Sequence, residues 1–373
     1  MYRRFYSGSS FNISRRLALS WLPVALSLPS LSLAQAPMYL ADAHSHLGLG
    51  NRTLGRVDFN AEAAESNLAL LAWTIVPDEH FLQVTSTGTT QRLFPGQSEI
   101  EFQFHKRFDQ VLSYFSAKQL KLALTPGDVD KALTGIPHIV VASEGADFFN
   151  GNVAQVKALY DKGLRHLQLV HYIQSEIGDL QTIAPRHTGL PPLGQQLVKA
   201  CNQMGILVDV SHCNPSTLSG VLDASSKPVV WSHGWVSLDQ GSHTDRVGAA
   251  ARRLALSQAK SIAAKGGVVG LWALGINNPV FLKRFPEYPI KTDAANPFKS
   301  YARGIAAMAQ DIGVDHVCFG TDVEGLGNSA VVNNYQDLRK VAEELSGAGM
   351  KDDDIRKVCI GNYARVLKDA MTV

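Results

Sequence analysis

Eight short apolar runs, most of them separated by a helical pattern, constrain the fold of this chain more than any other feature. The runs are continuous rather than alternating, which is typical of parallel strands covered on both faces. They lie near residues 39–44, 69–76, 138–143, 165–171, 206–211, 228–232, 267–272 and 316–321. Helical patterns precede the fourth, fifth and seventh runs, at 152–162, 193–204 and 256–265. Eight such units predict a closed (β/α)8 barrel of the TIM type, whose active site lies at the carboxyl ends of the strands.

Two segments are longer than ordinary connections. Between the second and third runs, a polar segment at Gln83–Glu101 is followed by an amphipathic helical pattern at Phe102–Gln119. We expect an excursion over the barrel mouth and then the second barrel helix. After the seventh run, Asn277–Pro297 is rich in proline and aromatic residues. This segment is predicted to form a loop that covers the substrate.

The first 36 residues have the pattern of an export signal. An apolar stretch, Leu17–Leu33, is followed by the small residues Ala34-Gln35-Ala36, which suit a signal peptidase. Basic residues precede the stretch at Arg3, Arg4, Arg15 and Arg16. The Arg15-Arg16 pair leaves both the twin-arginine and the general export route open, and an uncleaved membrane anchor is the alternative. We expect a signal at 1–36, a single barrel domain at 37–373, and a periplasmic or secreted protein.

Charge and cysteine content narrow the classes of partner. The net charge is +2, and lysine and arginine are scattered along the sequence. The sequence therefore shows no basic face that would indicate binding to nucleic acid or to an anionic membrane. A small molecule is the expected partner, and a homodimer is an option that the sequence leaves open. The four cysteines show no close pairing, so we expect core residues rather than a disulfide framework. They are Cys201, Cys213, Cys318 and Cys359, of which Cys213 has a ligand role as its alternative.

Histidines and one glutamate stand where the predicted strands end. His44 and His46 are two residues apart, so both side chains point to one side of a strand and can share a metal ion. Glu144 ends the third run, where a buried carboxylate is costly unless it meets a cation, and a carboxylate can bridge two metals. His212 and His233 end adjacent strands and would hold a second metal. Imidazole and carboxylate ligands that leave a position open for water are typical of a catalytic zinc site.

Two further residues have the position to act without binding metal. His171 ends the fourth run and could polarise a substrate carbonyl, while Asp322 ends the eighth and could exchange a proton with a hydroxide. For Asp322 a helix cap is the alternative, and a lone histidine at a strand end is commonly only hydrogen-bonded. The remaining histidines that we considered are interpreted as surface or packing residues: His80, His105, His138, His187, His243 and His316.

Short motifs in a fixed order resemble the membrane (renal) dipeptidase family of zinc peptidases, within the metal-dependent amidohydrolases. The resemblance covers most of the chain after residue 36. The motifs are Leu71-Ala-Trp-Thr-Ile-Val-Pro77, Ala142-Ser-Glu-Gly145, Leu169-Val-His-Tyr172 with Gly178-Asp179, Gly205-Ile-Leu-Val-Asp-Val-Ser-His212, Pro228-Val-Val-Trp-Ser-His233, Lys265-Gly-Gly-Val-Val-Gly270, Gly320-Thr-Asp322 and Gly361-Asn-Tyr-Ala-Arg365. Each is weak alone, and their order makes them specific.

The resemblance implies two Zn²⁺ ions per chain and a catalytic role for Glu144, which would bridge them. His44 would bind the first ion, and His212 and His233 the second. A bridging hydroxide would attack the peptide carbonyl of a dipeptide, with His171 on that carbonyl and Asp322 handling the proton. An arginine would bind the substrate carboxylate: Arg252 is the candidate, Arg253 the alternative, and a surface arginine the remaining interpretation.

Two departures from the family pattern bear on the substrate. The family usually has aspartate two residues after the first histidine, whereas this chain has His46, so one negative charge is lost beside the first metal. Tyr172-Ile173-Gln174 replaces the small polar residues expected after His171. A dipeptidase is the leading hypothesis. The alternatives are a metallohydrolase for another amide, a lactone or an N-acyl amino acid, and a metal-containing binding protein without catalysis.

Overall fold

The computed structural model describes residues 37–50, 53–85, 88–237, 251–275, 296–327 and 330–372. The predicted export signal lies outside the described residues, and so does the predicted loop at 277–297 except for its last two residues. No helix in the described ranges has both the length and the apolar character needed to cross a membrane. The four cysteines are free and buried.

Eight parallel strands form one sheet that curves into a barrel. The strands, in sheet order, are β1 (Leu40–Ser45), β2 (Leu68–Ile75), β5 (His138–Glu144), β6 (Leu164–Gln168), β7 (Leu207–Asp209), β8 (Val230–Trp231), β11 (Val268–Leu271) and β12 (Val317–Phe319). The barrel closes where the chain beyond β12 meets β1, because Ser45 bridges to Val323 and the Asp322 amide donates to the His44 carbonyl at 3.0 Å. The predicted (β/α)8 fold is confirmed, and each of the eight apolar runs overlaps one strand.

Helices separate most of these strands. Their bounds are Phe59–Ser66, Gln97–Ala117, Pro126–Leu133, Val153–Asp161, Pro192–Met204, Pro215–Ala224, Leu256–Ala264, Pro297–Ile312, Tyr335–Glu344, Asp352–Arg356 and Asn362–Met371. Their starts follow from local sequence: Thr125 and Asp128 form a capping box around Pro126, and the Asn214 side chain accepts from the Thr217 amide. The predicted helix at 102–119 is confirmed but begins earlier, at Gln97.

The long connection after β2 lies beside the barrel mouth, as predicted. It begins with an antiparallel hairpin, β3 (Leu82–Thr85) and β4 (Gly88–Gln91). The Gln91 side chain accepts from the Gln174 amide at 2.9 Å, and Gln97 donates to the carbonyls of Asp147 and Phe148. These partners follow β5 and β6, so the connection contacts loops at the carboxyl ends of the strands.

A second two-stranded sheet was not predicted from the sequence. β9 (Trp235–Ser237) pairs in parallel with β10 (Arg253–Ala255) just after the β8 strand. Each strand has three residues, which is too short to produce a recognisable apolar pattern. This pairing brings the Arg252-Arg253 segment next to the chain that follows His233.

Two glycines allow the strands to close tightly beneath the candidate site. A Cβ atom on Gly270 would lie 1.9 Å from the Ser232 carbonyl oxygen, and one on Gly320 would lie 1.6 Å from the same atom. No side chain fits there, so glycine is required by close backbone approach. The Ser232-His233 segment can therefore lie directly against the ends of β11 and β12.

Candidate metal centre

The five predicted metal ligands converge on one carboxylate at the carboxyl end of the barrel. Glu144 Oε2 lies 3.2 Å from His46 Nε2 and 3.6 Å from His44 Nε2. Glu144 Oε1 lies 3.0 Å from His212 Nε2 and 3.3 Å from His233 Nε2. All five side chains are buried. The two oxygens of one glutamate therefore face two separate pairs of histidines.

Each pair, together with Glu144, forms a group that could hold a metal ion. The Nε2 atoms of His44 and His46 are 3.1 Å apart, and those of His212 and His233 are 3.2 Å apart. Zinc binds imidazole nitrogen at about 2.0 to 2.1 Å, so two ligands of a tetrahedral ion are about 3.3 Å apart. The observed spacings fit this value, and three protein ligands at each centre leave a fourth position open.

Hydrogen bonds behind three of the four histidines turn their Nε2 atoms toward the cluster, whereas His212 Nδ1 has no partner among the described residues. His46 Nδ1 lies 2.9 Å from the Thr74 carbonyl oxygen. A carbonyl oxygen only accepts hydrogen bonds, so Nδ1 is the donor in this contact. The Ser232 hydroxyl lies 3.1 Å from His44 Nδ1 and 3.0 Å from His233 Nδ1. Such contacts behind a ligand fix the ring orientation and the tautomer. A single serine therefore orients one ligand of each group.

Two buried aspartates fix the backbone that carries the ligands. Asp42 Oδ1 accepts from the amides of His44 at 3.2 Å and Thr321 at 2.9 Å. Asp209 Oδ1 accepts from the amides of Ser211 at 2.8 Å and Ser232 at 3.1 Å, and its other oxygen lies 3.2 Å from His166 Nε2. Each carboxylate thus joins the ends of two strands. Neither role was predicted, although both aspartates lie two or three residues before a ligand histidine.

The backbone at two residues of the candidate site adopts the left-handed conformation. His212 has φ +67° and Asp322 has φ +57°. Residues other than glycine rarely adopt this region, at a cost of about 1 kcal/mol or more. The surrounding contacts hold both side chains in place despite that cost.

The charge distribution suits a cation. Burial would raise the pKa of Glu144, but the imidazoles around it, His171 and His44 foremost, hold that pKa well below its usual range. Burial, with Arg252 nearby, holds the pKa values of His212 and His233 well below 6.5, so these rings are neutral and able to bind metal. Burial also lowers the pKa of His46, but hydrogen bonds to Asp322 and Glu144 outweigh it and raise the pKa. A metal ion at His46 would therefore displace a proton, and its affinity would fall as the pH is lowered.

His171 stands beside the cluster without belonging to either group. Its Nε2 lies 3.4 Å from Glu144 Oε2, and its Nδ1 lies 2.7 Å from Asp78 Oδ1. The other Asp78 oxygen accepts from the Tyr172 amide at 3.3 Å. Burial would lower the pKa of His171, and the Asp78 charge raises it above its usual value. Asp78 was missed in the sequence, although it is the first acidic residue after β2.

The Tyr172 ring packs against the imidazole rings of His171 and His212. Its ring centroid lies 4.5 Å from that of His171 and 4.9 Å from that of His212. Burial raises the pKa of the phenol to about 12, with Arg252 acting in the opposite direction. The phenol is therefore neutral, and it stands at one of the positions where the sequence departs from the family pattern.

Arg252 brings a positive charge to the same region, and no carboxylate of the described residues pairs with it. The residue is fully buried, and its Nη2 donates to the His233 carbonyl at 3.3 Å. Its Nε and Nη1 atoms have no hydrogen-bond partner in the part of the chain that the structure describes. Leaving a buried guanidinium unpaired costs several kcal/mol, so the arrangement favours an anionic ligand. Arg253, the alternative, lies on β10, and its carbonyl accepts from the Gln181 side chain.

Of the histidines predicted to be surface or packing residues, three contact backbone carbonyls away from the cluster. His138 meets Ile136, His187 meets Ser175, and His316 meets Gly267. His243 lies outside the described residues.

The sequence matches one family over nearly all of its length. Residues 33–373 match the model of the membrane dipeptidase family, peptidase family M19. Dipeptidase aclJ of Aspergillus oryzae is 28% identical over 232 residues, which cover 61% of this chain and 50% of that protein. An uncharacterised protein from the pqqA 5′ region of Klebsiella pneumoniae is 26% identical over 264 residues, with 68% and 90% covered. The match thus spans about half of the first relative.

Solved structures share the fold. A metallopeptidase from Rhodobacter sphaeroides, liganded with a phosphinate mimic of the dipeptide L-Ala-D-Ala, superposes with a TM-score of 0.70 at 20% identity, covering 89% of this chain and 99% of that one. An amidohydrolase from Pseudomonas aeruginosa gives a TM-score of 0.65 at 19% identity, covering 91% and 98%. Both likenesses support the barrel architecture.

Proposed function

The chain belongs to the membrane dipeptidase family, as the sequence motifs predicted, and from this premise we propose that it is a zinc-dependent dipeptidase. The observation that carries the proposal is the position of Glu144, whose two oxygens face the two histidine pairs. A binding protein needs no second metal group joined by a carboxylate. Hydrolysis with two metal ions does need two neighbouring metal groups that share a ligand.

In this proposal His44, His46 and Glu144 would hold one zinc ion, and Glu144, His212 and His233 would hold the other. Bound zinc would supply Lewis acidity to the peptide carbonyl and make water acidic enough to act as the nucleophile at neutral pH. The contacts of Thr74 with His46 and of Ser232 with His44 and His233 keep the Nε2 atoms of these three rings available for this purpose.

The protein side chains then divide the remaining tasks. Asp322 Oδ1, 3.2 Å from His46 Nε2, accepts the proton of the attacking water and later passes a proton to the leaving amine. His171 presents Nε2 to the carbonyl oxygen, because Asp78 holds its Nδ1. Charge that develops on this oxygen is thereby stabilised. Arg252 binds the free carboxylate of the substrate in bidentate fashion.

Chelation tests the proposed function. The mature protein should hydrolyse several L-L or L-D dipeptides when zinc is supplied, lose this activity in a chelator, and recover it with zinc. The measurement is the rate at which free amino groups are released from each dipeptide of a panel. The metal content is determined on the same samples. If folded and metal-loaded protein cleaves no dipeptide, the proposal fails in favour of another amide or ester, and His46 and Tyr172 are the first residues to examine.

Arg252 should govern recognition of the substrate carboxylate. Arg252→Met removes the charge but keeps much of the side-chain volume. Losing one partner of a buried ion pair costs about 2 kcal/mol or more, so KM for dipeptides should rise about 30-fold or more while kcat changes less. Dipeptide amides, which lack that carboxylate, should be affected much less. Arg253→Met is the matched control, and a larger KM effect there would transfer the role to Arg253.

We also propose that the protein is exported and that residues 1–36 are removed, which places the barrel in the periplasm or outside the cell. The support is the basic, apolar and small-residue order of that segment. The mass of the protein isolated from the cell envelope or medium tests this, and a mass that includes the first 36 residues contradicts it.

A further inference from the structure

Trp272 follows strand β11 and lies between Asp322 and Arg252. Its indole Nε1 donates to Asp322 Oδ2 at 2.7 Å, and the Arg252 guanidinium carbon lies 5.3 Å from its ring centroid. The Trp272 amide donates to the Gly234 carbonyl at 2.8 Å, and the side chain is 7% exposed. The residue is therefore fixed at its backbone and in contact with two charged groups of the site.

The contact with Trp272 determines which oxygen of Asp322 faces the histidines. With Oδ2 engaged by the indole, Oδ1 is the oxygen that faces His46 Nε2, at 3.2 Å. A Cβ atom on Gly325 would lie only 2.0 Å from Oδ1, so the carboxylate is also enclosed from that side. Trp272 thus leaves Oδ1 available as the proton acceptor.

The same ring supports Arg252. Its distance from the guanidinium is within the range of a cation–π interaction, which is strongest for tryptophan. Trp235 lies against Trp272, with ring centroids 5.6 Å apart, so the Trp272 ring cannot easily turn away. One indole therefore contacts both the residue that handles the proton and the residue that would bind the substrate carboxylate.

We propose that Trp272 is a positioning residue with two separable tasks: its N–H orients Asp322 for proton transfer, and its ring orients Arg252 for the substrate carboxylate. This inference rests on the proposed dipeptidase function. Trp272 does not touch the reacting atoms, so its effects must pass through Asp322 and Arg252. The two tasks depend on different parts of one side chain and can be removed one at a time.

Two substitutions separate the tasks. Trp272→Phe removes the N–H but keeps a ring under Arg252, so kcat should fall about 10- to 100-fold, as expected for one hydrogen bond to a charged group, with KM little changed. Trp272→Leu removes both, so KM should rise by a further factor of about 3 to 10. Zinc content should stay that of the wild type in both variants. Unchanged kcat in Trp272→Phe would overturn the proposal.

A double-mutant cycle shows whether the effect passes through Asp322. In an Asp322→Ala background, Trp272→Phe should cause no further loss of kcat, because the carboxylate that it orients is gone. An equal loss in both backgrounds would mean that Trp272 acts by another route. Trp73→Phe is the control, since Trp73 is also buried but its indole nitrogen has no hydrogen-bond partner in the described ranges. It should retain wild-type kcat.

Thermal unfolding makes the result independent of the assay. With zinc present, Trp272→Phe and Asp322→Ala should each lower the melting temperature. The double variant should lose less than the sum of the two single losses. If the wild type cleaves no dipeptide, the proposed function fails while this cycle still decides about Trp272: additive losses overturn the Asp322 contact, and non-additive losses support it.

Discussion

Glu144→Gln should abolish both zinc retention and dipeptide hydrolysis, with kcat/KM lower by about 10⁴-fold or more, equivalent to about 5 kcal/mol. Glutamine keeps the size of the side chain but replaces the carboxylate that faces four ligand imidazoles and His171. Both groups of ligands lose their only carboxylate at once, because each contains Glu144. Its amide nitrogen would also point at an imidazole Nε2 atom where a cation is expected.

Metal content per chain and thermal unfolding are the measurements. Zinc should raise the melting temperature of the wild type, since a ligand that binds only the folded state stabilises it, and should hardly change that of Glu144→Gln. Glu144→Asp keeps the charge on a shorter side chain. Its zinc content and its stabilisation by zinc should therefore lie between those of the wild type and of Glu144→Gln. A Glu144→Gln variant that retains two zinc ions and full activity would show that Glu144 does not bridge.

The sequence predicted the barrel because its strands are buried on both faces. Such strands are continuous apolar runs, so β2 and β5 are recognisable without any partner. The convergence of the metal ligands was predictable for a related reason. Parallel strands in a barrel end on the same side, so residues that follow different strands must meet. His44, Glu144 and His233 come together on this principle alone.

The supporting contacts could not be predicted, because they join residues distant in sequence with no repeated spacing. Asp78 lies 93 residues before His171, and Asp42 lies 279 residues before Thr321. In the sequence, Trp272 belongs to an apolar run and cannot be distinguished from a core residue. Only the structure shows that its N–H donates a hydrogen bond to Asp322. Short elements such as β9 and β10 carry too few residues to show a period. The residues of the two candidate metal groups could thus be chosen from the sequence, whereas the contacts that orient them could not.

Asp322→Asn should lower kcat about 10³-fold, within the range for loss of a general acid–base group, and leave KM nearly unchanged. Asparagine has the same shape, and its amide oxygen can accept from Trp272 Nε1 as Asp322 Oδ2 does at 2.7 Å. The amide nitrogen then takes the place of Oδ1 beside His46. An amide nitrogen cannot accept a proton, so the substitution removes the chemistry while it preserves the contact with Trp272.

Steady-state kinetics and zinc content on the same preparation separate this effect from metal loss. Asp315→Asn is the control: Asp315 precedes β12, at the opposite end of the strand from Asp322, and pairs with Lys357 at 2.8 Å near the surface. It should retain wild-type kcat. Because Asp322 is outside both groups of metal ligands, Asp322→Asn should keep its zinc. If kcat falls only in proportion to lost zinc, Asp322 serves to retain the metal and the proton acceptor must be another residue.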